Sequence, residues 1–170
     1  VTAIDVSPTN DDVWYVGSGS GGLWKTTNGG TTFEPIFDDQ PATSIGDVTV
    51  HPNNPDVIWV GTGEGNPRNS STGGNGVYKS VDGGKTWTHL GLKETRSIHR
   101  LLVHPENPDV AYAGAQGATW GYNQERGVYK TTDGGQTWEK VLYVNEKTGV
   151  ADMVMDPENP NKLFVAMWEY

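Results

Sequence analysis

One eight-residue phrase, repeated three times, limits what this chain can become. It reads Thr26-Thr27-Asn28-Gly29-Gly30-Thr31-Thr32-Phe33, then Ser80-Val81-Asp82-Gly83-Gly84-Lys85-Thr86-Trp87, then Thr131-Thr132-Asp133-Gly134-Gly135-Gln136-Thr137-Trp138. The aromatic ends fall at 33, 87 and 138, steps of 54 and 51 residues. Recurrence at that length is a structural period, with each copy a unit that cannot bury its apolar face alone.

A second phrase precedes each copy. Asp5-Val6-Ser7-Pro8 leads to Asp12-Val13-Trp14-Tyr15-Val16-Gly17. The stretches from Val50 to Gly61 and from Val103 to Gly114 restate it, and a fourth version runs from Met155 to Ala166. Apolar residues alternate in Ile45 to Val50 and in Leu101 to Val103, which predicts a first strand. Pro and Asn-Pro then end it, because proline has no N–H and biases its predecessor away from helix. The apolar run that follows is a second strand. A third enters each box (22–26, 76–80, 127–131), and a fourth leaves it through Thr32-Phe33, Trp87 to Leu90 and Trp138 to Leu142.

Composition agrees. The 23 glycines fall at turns with no three-residue period. No segment carries a helical apolar stripe over three turns. The chain is expected to be all-β: a partial β-propeller of three four-stranded blades, approximately 1–37, 45–91 and 97–143, plus the first two strands of a fourth over 150–170. The box turns fall between third and fourth strands. Propellers close with 4–8 blades. The expectation is therefore a piece of a longer protein with a processed or truncated start at Val1, its partners being the remaining blades or other subunits of a complex. Two copies completing one ring is the alternative.

Several functions are excluded or disfavoured. There is no cysteine, hence no disulfide and no thiolate site. A net charge of −9 without a basic cluster argues against nucleic acid. No run of 18 apolar residues exists to span a membrane as a helix. One acid per box, without the EF-hand spacing, is too few for calcium. His51 and His104 repeat in register before the turn prolines and read as structural. His89 and His99 lack a partner at metal-ligand spacing. No cofactor and no metal is expected.

The boxes themselves read as hairpin caps. Asn28, Asp82 and Asp133 can accept hydrogen bonds from their own turns, and Phe33, Trp87 and Trp138 supply rings to bury between blades. The pattern resembles the Asp-box of bacterial neuraminidase-type repeats. The phrases from Gly61 to Asn69 and from Gly149 to Pro157 are similar to large secreted bacterial proteins with a sortilin-like N-terminal propeller, often labelled glycosyl hydrolases. The resemblance implies an extracytoplasmic protein whose boxes lie opposite the ligand face.

Antiparallel order alone puts the loops between second and third strands on that opposite face. Blade two inserts 64–75 there and blade three 117–126. Residues 93, 94 and 96 join them, as do Asp38 and Asp39. The ligand-binding candidates are Glu64, Arg68, Arg96, Trp120, Tyr122, Glu125 and Arg126. Acids, guanidinium groups and aromatics together suit a peptide carboxylate or a stacked sugar. Taken singly, Arg68 and Arg126 can equally pin their loops, and Trp120 can pack its own.

Three functions follow. The first is a non-catalytic binding or assembly propeller for a protein, peptide or glycan. The second is a sialidase-like or xyloglucanase-like glycoside hydrolase. Its catalytic set would lie partly outside these residues; of the two carboxyls such chemistry needs, Glu64 and Glu125 are the loop-face pair to nominate, and the sialidase Arg-Ile-Pro motif is absent. The third is an architectural subunit of a larger complex.

Overall fold

The computed structural model describes residues 1–66 and 69–169. It is all-β, and its only helical element among these residues is a short 3-10 turn, Lys93–Thr95. The first sheet is β1 (Ala3–Val6), β2 (Trp14–Gly17), β3 (Leu23–Thr26) and β4 (Glu34–Pro35). The second is β5 (Ile45–His51), β6 (Asn54–Thr62), β7 (Val77–Ser80) and β8 (Thr88–His89). The third is β9 (Ile98–Val103), β10 (Ala111–Ala115), β11 (Gly127–Thr131) and β12 (Glu139–Leu142). A two-stranded sheet follows, β13 (Thr148–Asp156) and β14 (Asn159–Glu169). Strands are antiparallel and ordered as in sequence within each sheet. This is a partial propeller, three complete blades and the first half of a fourth. Successive first strands contact one another, so β1, β5, β9 and β13 form the inner wall.

Strand ends depart from the sequence pattern in two ways. The fourth strand of blade one is Glu34–Pro35, not Thr32-Phe33, because Thr32 is held back in the box turn through the Asn28 side chain. Pro55 and Pro160 lie inside β6 and β14 instead of ending a turn. In both blades the preceding turn is tight, with His51 opposite Asn54 and Asp156 opposite Asn159. Each proline thus sits at a strand's start, where its missing N–H is tolerated.

The boxes are closed networks. In blade two, Asp82 Oδ1 accepts from the Ser80 hydroxyl (2.7 Å) and from the Lys85 and Thr86 N–H groups, and Oδ2 accepts from the Thr86 hydroxyl (2.6 Å). Asp133 repeats the pattern with Thr131 and Thr137. Asn28 does the same with Thr26 and the Thr32 N–H, and its amide donates to the Thr32 hydroxyl. The Thr86 and Thr137 donors, first among the causes, hold the two aspartates down at about 2. Both box glycines have φ between 63° and 93° in all three copies, a region that disfavours any side chain.

The second and third boxes also stitch their blades to the one before. The Trp87 indole donates to the Ile36 carbonyl and the Trp138 indole to the Leu90 carbonyl, both at 2.7 Å. Phe33 was expected to bury its ring in the same way. It is 40% exposed, since no strand of the described chain lies on that side of blade one.

Acids tie the inner wall together. The Val50 N–H donates to Asp5 Oδ2, and the Leu101 N–H donates to Asp47 Oδ2, each at 2.7 Å. Burial pushes the Asp47 carboxyl up to about 6, against the lowering influence of the Leu101 N–H and Arg100. The folded value lies above the ordinary 3.8, so protonation favours the native state. This contribution is fully present below about pH 4 and is lost as pH rises through about 6, a change of roughly 3 kcal/mol. Asp47→Asn keeps an acceptor for Leu101 and is expected to flatten that slope. Urea midpoints measured across pH 4–7 check it; an unchanged slope in the variant would assign the effect elsewhere.

Candidate functional site

The insertions of blades two and three meet over the seam between them. Glu64, residues 71–73, Arg96, Ser97 and residues 117–120 line a cleft of about 220 Å³. Backbone hydrogen bonds across the seam build it. Gly74 N–H donates to the Arg96 carbonyl (2.6 Å), and Gln116 N–H to the Ser97 carbonyl (3.0 Å). The Ser97 hydroxyl donates to the Gly63 carbonyl and the Gln116 amide to the Gly65 carbonyl. Ser71 and Thr119 hydroxyls approach to 3.4 Å across the opening.

Arg96 is set in an unusual backbone. Its φ and ψ are 64° and −44°, and Ser97 N–H donates to the Thr95 carbonyl at 2.7 Å. That is close to a γ-turn of the rare, strained hand. A non-glycine residue there costs of order 1–3 kcal/mol and persists only where its surroundings hold it. Both neighbouring blades do so here. The side chain is exposed, and among the described residues its guanidinium has no hydrogen-bond or ion-pair partner. Trp120 stands at the cleft with 70% of its surface exposed.

The other candidates separate. Glu64 lines the cleft but is buried, its carboxyl pressed toward Gly19 of blade one. Arg126 does not face a ligand. It is 1% exposed, and its guanidinium donates to the carbonyls of Gln116, Ala118 (2.7 Å), Gly121 (3.2 Å) and Glu146 (2.9 Å). It pins the loop that displays Trp120. Glu125 is absent from the cleft wall: its Oε2 accepts from the Tyr129 hydroxyl at 2.8 Å and lies 3.6 Å from the Lys140 ammonium. Tyr122 is exposed outside the cleft, with the Lys147 ammonium 5.2 Å from its ring centre. Arg68 lies outside the described residues. Asp38 joins a second hollow, about 400 Å³, at the seam of blades one and two.

The hydroxyls of Ser71, Thr72, Ser97 and Thr119 were not singled out from sequence. The Ser70-Ser71-Thr72 run in the insertion is the visible signal for the first two. His99 is packed against Gly65, and burial lowers its imidazole below the ordinary value. No group of three or more His, Asp or Glu able to hold a metal occurs among the described residues.

A family model described as Sortilin-Vps10 (sortilin, neurotensin receptor 3) matches residues 75–169. No curated protein sequence matches the chain. Solved structures share the fold. An ancestral GH74 enzyme is 23% identical over 97% of this chain and 21% of its own, with a TM-score of 0.76. The GH74 enzyme of Niastella koreensis is 26% identical over 96% of this chain and 24% of its own, with a TM-score of 0.74. YCF48 bound to D1 peptide is 14% identical over 98% of this chain and 50% of its own, with a TM-score of 0.63. The chain thus spans about a quarter or less of the length of these GH74 proteins and half that of YCF48.

Proposed function

Since this chain belongs to the Sortilin-Vps10 family, we propose that it is a non-catalytic, extracytoplasmic binding propeller that takes a protein, peptide or glycan partner on its loop face. The observation that carries this reading is the cleft at the second seam. It offers an exposed aromatic plane, Trp120, beside an exposed guanidinium, Arg96, on a frame hydrogen-bonded from both blades. Such a pair suits recognition: aromatic and arginine residues dominate binding energy where they are fixed in advance. Catalysis of glycoside hydrolysis needs two carboxyls across one bond, and Glu64 enters the cleft without Glu125. The structurally similar YCF48 holds a peptide, which supports the binding reading by analogy.

The GH74 likenesses favour a second reading, a glycoside hydrolase whose further carboxyl comes from outside the cleft. One experiment separates the two. A peptide array and a glycan array are probed with the protein, and turnover of the bound glycans is followed. Binding without turnover is expected, weakened at least tenfold by Trp120→Ala (about 1.4 kcal/mol or more) with little change in melting temperature, since the ring is exposed. Turnover abolished by Glu64→Gln would reverse the assignment.

A further inference from the structure

The sequence holds two Asn-Gly steps, Asn28-Gly29 and Asn75-Gly76. Asn-Gly is the dipeptide most open to one spontaneous reaction, attack of the following backbone nitrogen on the side-chain amide carbon. Glycine has no Cβ, so that nitrogen is unhindered. The reaction needs a glycine N–H that can lose its proton and an amide carbon that can receive the nitrogen. The two steps sit in opposite surroundings.

Asn28-Gly29 is guarded. The Gly29 N–H donates to the Asp12 carbonyl at 3.0 Å. The Asn28 amide is held at both ends: Oδ1 accepts from the Thr26 hydroxyl and the Thr32 N–H, and Nδ2 donates to the Thr32 hydroxyl. Attack there would break the box at every one of these points.

Asn75-Gly76 closes the blade-two insertion just ahead of β7 and is set the other way. The Gly76 N–H has no hydrogen-bond partner among the described residues. The Asn75 carbonyl, the other end of the same peptide group, lies 2.7 Å from His89 Nε2. A carbonyl only accepts, so Nε2 carries the hydrogen and donates. That bond draws electron density out of the peptide and makes the Gly76 N–H more acidic. The Tyr78 hydroxyl stands 2.9 Å from Asn75 Nδ2 and 3.1 Å from Oδ1. Donating to Oδ1, it polarises the amide carbon and stabilises the oxyanion formed on attack. The His89 and Tyr78 rings pack edge to face, 4.9 Å between centroids, so the two donors hold each other in place. Tyr78 is buried and His89 is exposed, which leaves the site open to water on the histidine side.

We infer that Asn75 is a self-modification site, where the protein converts its own asparagine to a carboxylate through a cyclic imide. The Gly76 nitrogen gives up its proton and bonds to Asn75 Cγ. The Cγ–Nδ2 bond breaks, and ammonia leaves with that proton. Water then opens the imide at either carbonyl. One opening leaves an ordinary aspartate, the other a β-linked isoaspartate with an extra methylene in the backbone. No oxidant or cofactor enters. The β-linked product has little room, because the backbone at Gly76 lies too close to the Gly91 carbonyl even for a Cβ. Space for it has to come from the loop, whose Gly74 N–H donates to the Arg96 carbonyl at the cleft. The site is a slow chemical clock on the loop that frames the cleft. The inference is independent of what the cleft binds.

The test ages the folded protein at mildly alkaline pH. Peptide mapping reads NH replaced by O at each asparagine, and isoaspartyl methyltransferase labelling reads the β-linked product. Conversion at Asn75 is expected to run about tenfold or more faster than at Asn28. The gap should close in urea, where neither set of hydrogen bonds persists. His89→Phe keeps a ring against Tyr78 but no donor, and Tyr78→Phe removes the hydroxyl. Each is expected to slow Asn75 about threefold or more, His89→Phe with an unchanged melting temperature because the position is exposed. Equal rates at Asn75 and Asn28 in the folded protein overturn the inference. So does a gap that persists in urea, which would assign it to local sequence. Conversion of Asn75 that is slower folded than in urea, or that both variants leave unchanged, overturns it as well.

Discussion

Arg126→Met is expected to destabilise the protein by about 4 kcal/mol and to abolish ligand capture at the cleft. Arg126 is buried and its guanidinium serves the carbonyls of Gln116, Ala118, Gly121 and Glu146. Removing it strands the buried Gln116 carbonyl and deprives the half-buried Ala118 and Glu146 carbonyls and that of Gly121 of their shared donor. A lost charge-assisted bond is worth about 1.5–3 kcal/mol, and an orphaned buried acceptor about 1–3. Several are lost at once, and partial collapse of the loop recovers some of the sum. Arg126→Lys should recover little, since one ammonium cannot span four acceptors fixed by a planar fork. Urea unfolding gives the stability, and exchange over residues 117–125 gives the loop. A lysine variant as stable as the parent would mean that the loop holds itself.

Gly46→Ala is expected to be comparably severe, about 3 kcal/mol or more, for a different reason. A Cβ there would lie 2.1 Å from the Ile98 carbonyl oxygen and 2.5 Å from that of Gly63. Both are backbone atoms of the second seam, so no side chain can move aside. Overpacking of this kind forces the strands apart. Gly121→Ala is the informative comparison. Its φ of 102° is strained for alanine, but nothing lies within 4 Å of the added atom. A loss of about 1 kcal/mol is expected there. Thermal melts of the two variants rank steric overlap against backbone strain, and a milder effect at Gly46 than at Gly121 would contradict this account of the seam.

The architecture was readable because its signals are local. A Ser or Thr, an Asp or Asn and two glycines close a turn with their own atoms, and the leading proline of each repeat (Pro8, Pro52, Pro105, Pro157) stops the first strand. Blade order followed from spacing. The cleft was half readable. Loop length marked the face, and Trp120 and Arg96 do stand together on it. Arg126 and Glu125 could not be sorted from sequence, because a charged side chain in a long loop looks the same whether it faces solvent or four carbonyls. Phe33 failed similarly: its burial depends on a neighbour, not on its own box. The strained turn at Arg96 had no sequence signal, since no glycine or asparagine marks it. Tertiary contacts from two blades impose that conformation.

That turn has a mechanical consequence. Arg96 is gripped on one side by Gly74 and, through Ser97, on the other by Gln116. Neither blade alone can hold it in place. The cleft geometry therefore exists only while the two blades are docked, and anything that grips Arg96 and Trp120 together would act as a tie-bar across the joint. A tension that parts blades two and three should open the cleft before either blade unfolds.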